Sequence, residues 1–137
     1  MSARHVETAK RGYEAFNGRG VEAILDFLDP QIEWRAWEGF AREPHVAHGH
    51  DGVREVLAVY EENVDGLRAE PLEFIEAGDH VVVPFRLHGT AKGSDESVEF
   101  NLVHVWTFAD DSEVLATRLE VYESREEALE AAGLSTS

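Results

Sequence analysis

The sequence predicts an α+β domain in which a curved antiparallel sheet wraps around helices and leaves a conical pocket. Apolar residues at helical spacing occupy the start of the chain and the stretch after Asp51, whereas from Leu72 onward they recur at every second position. The order is helix, helix, strand, helix, then four antiparallel strands. The longest alternating stretch, Ser97 to Glu123, sets Phe100, Leu102, Trp106 and Phe108 in one row, the pattern of a strand with one buried face. His104 falls in that row, so a histidine is expected to point where apolar side chains point. The turn-forming run Ala109 to Ser112 and a second alternation from Val114 to Tyr122 complete a long hairpin.

The remaining elements follow in order. Val6, Ala9, Tyr13 and Phe16 form one helical stripe, and Asn17-Gly18 is the expected stop. Val21, Ile24, Leu25 and Leu28 share a face of a second short helix that Pro30 ends. Gln31 to Trp37 alternates as a strand with Ile32, Trp34 and Ala36 inward. Glu38 to His50 has glycine, proline and three histidines without periodicity, and is expected to be a loop that can cover a cavity mouth. Asp51 is placed to cap a helix running to about Asn63, with Val53, Val56, Leu57, Tyr60 and Val64 on its buried side and Gly66 beyond it. Leu72 to Ala77 and His80 to His88 are strands around a Gly78-Asp79 turn. In the second, Val81, Val83, Phe85 and Leu87 face inward, and Pro84 argues for an edge or a bulge. Ser124 and Glu127 have capping-box spacing ahead of a short final helix closed by Gly133.

Length and charge bound the function. A chain of 137 residues suits one domain, residues 1–137. Twenty-eight acidic against 12 basic side chains give a formal charge of -16, which repels phosphate backbones and anionic lipid surfaces, so neither nucleic acid nor membrane is an expected partner. No apolar segment follows Met1-Ser2-Ala3-Arg4 or reaches spanning length, so a cytoplasmic location is expected. The chain has no cysteine, which excludes disulfides and thiolate chemistry.

The phrases YEAFNGRGVEAILDFLDPQIEW, HGHDGVREVLAVYEE, AGDHVVV and VHVWTFADDSEVLATRLEVYESREEALEAAGL resemble the SnoaL-like branch of the nuclear-transport-factor-2-like superfamily, which includes ketosteroid isomerase. The resemblance covers almost the whole chain and implies the cone-shaped, cystatin-like fold. Carried over by position, the acidic group of ketosteroid isomerase on the penultimate strand falls on His104, its base aspartate on Trp34, and its helix-one tyrosine near Gly12, beside Tyr13. The aspartate of the SnoaL-like cyclases falls on Leu119. The isomerase and cyclase mechanisms are therefore not carried over intact. Arg118 and Glu120 are expected on the sheet face opposite His104.

The expected function is binding of a small, mostly apolar organic molecule in a cone lined by Trp34, Phe85, Leu102, His104, Trp106 and Leu119. His104 is the candidate acid or base for proton transfer, isomerisation or hydration. Tyr13, Trp34, Tyr60 and Thr117 are further lining groups that can bring a polar tip. The alternative is a noncatalytic ligand-binding or interaction module of the same fold. His45, His48 and His50, with Asp51, match no metal-binding spacing and are read as a solvated loop, so no metal and no cofactor are expected. His5, His80 and His88 are read as surface residues, and Glu126, Glu127 and Glu130 as a solvated acidic face. The outward row Val82, Pro84, Val103, Val105 and Tyr122 is apolar enough to require a cover, for which a homodimer is expected.

Overall fold

In a computed structural model of the chain, residues 3–35, 46–109 and 115–133 are described. The stripe on the first helix, α1 (Ala3–Arg19), buries Ala9, Tyr13 and Phe16. The helix runs past Asn17-Gly18 and stops where Gly20 takes φ 85°. Asn17 has a tertiary role instead. Its amide donates to the Ala69 carbonyl at 2.8 Å and accepts from the Ala69 N–H at 2.8 Å, tying the helix to the sheet. The second helix is shorter than its apolar spacing implies: α2 (Val21–Ile24) passes into one 3₁₀ turn (Leu25–Phe27), and Pro30 lies inside the first strand, β1 (Leu28–Arg35). Residues 36–45, including Ala36, Trp37 and His45, lie outside the described residues.

The segment expected to be a loop holds a short strand, β2 (Val46–His48), and the start of the next helix, α3 (Gly49–Asn63). His48, and not Asp51, occupies the N-cap position. Asp51 lies in the first turn, where its carboxylate accepts from Arg54 at 2.6 Å. An unexpected strand, β3 (Val64–Pro71), follows directly. Its alternation is broken by a register shift between Asp65 and Arg68, where Gly66 has φ 64°, so period two was hidden in the sequence. Strands β4 (Ile75–Ala77), β5 (His80–Ala91), β6 (Ser97–Phe108) and β7 (Ala116–Tyr122) and helix α4 (Arg125–Ala131) complete the chain.

The strands form one sheet in the order β2-β1-β7-β6-β5-β3, with β4 also on β5. All neighbours are antiparallel except β1 and β7, which run parallel. The sheet is thus mixed, because alternation specifies which face is buried but not which way a distant partner runs. Pro84 sits where β5 changes partner from β4 to β3. Its carbonyl accepts from Leu72 N–H at 2.9 Å, so its own nitrogen also faces this break, where no ladder bond is lost.

Helices α1 and α3 fill the inner face of the sheet around Ile32, Val81, Val83, Phe85 and Trp106. On the outer face Val82, Val103 and Val105 are buried beneath Ala128 of the final helix and Ala132 at its C-cap. Ser124 caps that helix, accepting from Glu127 N–H at 3.1 Å as the capping-box spacing implies. The apolar outward row is therefore covered within the chain over much of its length. Pro84 and Tyr122 stay half-buried and Leu72 exposed.

Candidate functional site

His104 lies on β6 between Val83 of β5 and Val121 of β7, and α1 crosses over it. Its ring stacks on Phe85, with centroids 3.9 Å apart, and meets the edge of Trp34 at 6.1 Å. Three buried polar groups form a chain. The Trp106 indole N–H donates to the Tyr13 hydroxyl at 3.0 Å, and that hydroxyl lies 2.7 Å from His104 Nδ1. Burial pushes the Tyr13 pKa far above its ordinary value and lowers that of His104 to about 3, so both are neutral at physiological pH. Among the described residues, His104 Nε2 has no hydrogen-bond partner.

A cavity opens beside this ring, with about 40 Å³ of room for the centres of water molecules. That is space for roughly three waters. Tyr13, Trp34, Tyr60, Phe85, Leu102 and His104 line it, together with Phe16, Ile24, Leu57, Leu67, Ala69, Leu87 and Val121. Burial also raises the Tyr60 hydroxyl pKa to about 12. Three of the expected lining residues are placed elsewhere. Trp106 is fully buried under α1, where the helix passes so close that a Cβ on Gly12 would lie 2.8 Å from the indole. Leu119 pairs with Trp106 across β6 and β7 and is sealed with it. Thr117 falls at the register shift between Thr107 and Phe108, which takes it out of the inward row, and its hydroxyl donates to the Thr107 carbonyl at 3.3 Å.

Of the lining residues not singled out for the site, Phe16, Ile24, Leu57 and Leu87 already stood in the apolar rows of their elements. Leu67 and Ala69 belong to the strand hidden by its bulge. Two of the three positions that the family resemblance matched to acids, Trp34 and Leu119, are direct neighbours on β1 and β7, and both are buried. Arg118 lies exposed on the opposite face, where it pairs with Glu33 at 2.7 Å.

The other histidines divide. His5 is not a surface residue: it is fully buried, stacked on Phe108 at 4.0 Å, because its helix face turns onto the end of β6. His80 is half-buried and within 2.9 Å of the Thr107 hydroxyl, and His88 approaches Glu70 at 3.5 Å. His50 donates to the Leu28 carbonyl at 2.9 Å, which binds α3 to the start of β1. Among the described residues no cluster of three potential metal ligands occurs. No helix among them is long and apolar enough to cross a membrane.

The chain matches the SnoaL-like domain family over residues 9–115. It belongs to that family. A solved NTF2-like protein of unknown function from Burkholderia pseudomallei K96243 is 27% identical, with 98% of this chain and 99% of that one covered and a TM-score of 0.75. TerC, co-crystallised with polyporic acid, is 30% identical over 96% of this chain and 99% of its own, with a TM-score of 0.74. A protein from Catenulispora acidiphila DSM 44928 with a ketosteroid isomerase-like fold is 16% identical over 94% of each chain, TM-score 0.71, and shares the fold alone. No curated protein matches the chain.

Proposed function

We propose that this SnoaL-like protein binds a small, mostly apolar organic molecule in the cavity beside His104. One observation carries the reading: the walls are almost wholly apolar, and His104, with Tyr13 behind it, brings polar atoms to them. Buried sites of this kind take their affinity from apolar contact and their orientation from a few polar groups. The co-crystallisation of TerC with polyporic acid supports an organic ligand for the family. Native mass spectrometry of purified protein tests the proposal. A co-purified small molecule is expected in the parent and absent from Ala69→Leu, which fills the cavity from β3. A ligand retained in that variant places the binding site elsewhere.

The rival reading, a noncatalytic interaction module with a filled pocket, is favoured by the small volume left beside Trp34 and Phe85. It predicts no bound molecule in either protein. A homodimer through the outer face is part of the same proposal, resting now on Pro84 and Tyr122, which stay half-buried beside α4. Light scattering that reports a monomer at micromolar concentration removes it.

A further inference from the structure

We infer that the cavity recognises an acceptor oxygen, a carbonyl on an otherwise apolar molecule, through the Nε2–H of His104, and that Tyr13 and Trp106 are positioning residues holding the ring in that tautomer. This rests on the small-molecule reading above. The argument is one of donor counting. An indole nitrogen only donates, so at 3.0 Å the Tyr13 oxygen is the acceptor. The hydroxyl has one hydrogen, and among the described residues the only other polar atom bonded to it is His104 Nδ1, 2.7 Å away. Were Nδ1 the protonated nitrogen, the tyrosine oxygen would accept twice and its own hydrogen would be left without an acceptor in a buried site, a costly arrangement. Nδ1 is therefore bare, and the hydrogen of the neutral ring sits on Nε2. Stacking on Phe85 and the edge of Trp34 hold the ring in this orientation.

The consequence leaves His104 only the donor side of the acid-or-base role expected of it. Its accepting nitrogen is occupied by Tyr13, and what remains for a ligand is a donor. An ammonium would bring charge and further donors into apolar walls without a carboxylate to receive them, so a neutral carbonyl compound is the better complement. Nitrogen-resolved NMR of the ligand-free protein at pH 7 is expected to show His104 protonated at Nε2. Titration with cyclopentanone and with its hydrocarbon isostere methylenecyclopentane then reads the donor directly. The ratio of their affinities should shift roughly tenfold toward the hydrocarbon in His104→Phe, and His104→Gln, whose amide reaches the Nε2 position, should recover part of the preference for the ketone. A ring protonated at Nδ1, or a ratio that His104→Phe leaves unchanged while both probes bind, overturns the inference and leaves small-molecule binding intact. Failure of both probes to bind the parent overturns the binding reading and this inference with it.

Discussion

Replacing Trp106 with alanine should destabilise the protein by about 3–5 kcal/mol, the range for removing a large buried aromatic. Trp106 is fully buried between Val81 and Leu119 on the neighbouring strands, and it meets Tyr13 edge-on at 5.6 Å. The collapse that would soften the loss is blocked, because α1 rests on the indole through Gly12 and is tied to β3 by both Asn17 bonds. Trp106→Phe keeps an aromatic ring but removes the N–H, and should cost less than half as much. Urea denaturation of the two variants checks this. An alanine variant within about 1 kcal/mol of the parent would show that the indole is not wedged between helix and sheet.

Substituting His104 with phenylalanine should give a stability difference that changes with pH. At pH 7 the new ring keeps the stacking on Phe85 but leaves the Tyr13 hydroxyl without its acceptor, a loss of about 1–3 kcal/mol. A buried partner is thus orphaned, so the near-neutral substitution that an isolated histidine would allow is not expected. Acid reverses the comparison. The imidazole pKa is 6.5 in the unfolded chain and about 3 when folded. Between those values the unfolded state binds the extra proton, and parental stability falls by about 1.4 kcal/mol per pH unit on this account. Above pH 6.5 the ring is neutral in both states and this contribution is absent. The phenylalanine variant lacks the effect, while every other titrating group is common to both proteins. The difference should therefore shrink from pH 7 to pH 5 and vanish or change sign near pH 4.5. A constant difference over that range would mean that His104 takes up a proton in the folded protein as readily as in the unfolded chain.

The fold was legible where each element reports its own environment. The stripe of Tyr13 and Phe16, the row of Leu102, His104 and Trp106, and the Ser124–Glu127 cap each depend on residues close together in the chain, and each forms as its spacing implies. The inward direction of His104 was read in the same way. What spacing could not convey is any change of register. Gly66 and the shift opposite Thr107 insert residues into the ladder, which hid β3 in one case and turned Thr117 away from the cavity in the other.

For the site, the sequence by itself determined that a histidine enters an apolar cone, while the family resemblance implied only that Trp34 and Leu119 take the places of acids. Only the tertiary structure decided what that histidine can do. Tyr13 and His104 are 91 positions apart, and the hydroxyl that engages Nδ1 arrives from a helix whose height above the sheet is set by Gly12 on the indole of Trp106. Hydrogen-bond roles depend on tenths of an ångström between groups distant in sequence, and apolar periodicity is insensitive to them. The same holds for the outer face: its apolar row was plain in the sequence, but that α4 covers Val82, Val103 and Val105 follows from the path of the chain after Tyr122, because burial by one's own helix and burial by a partner leave the same residue pattern.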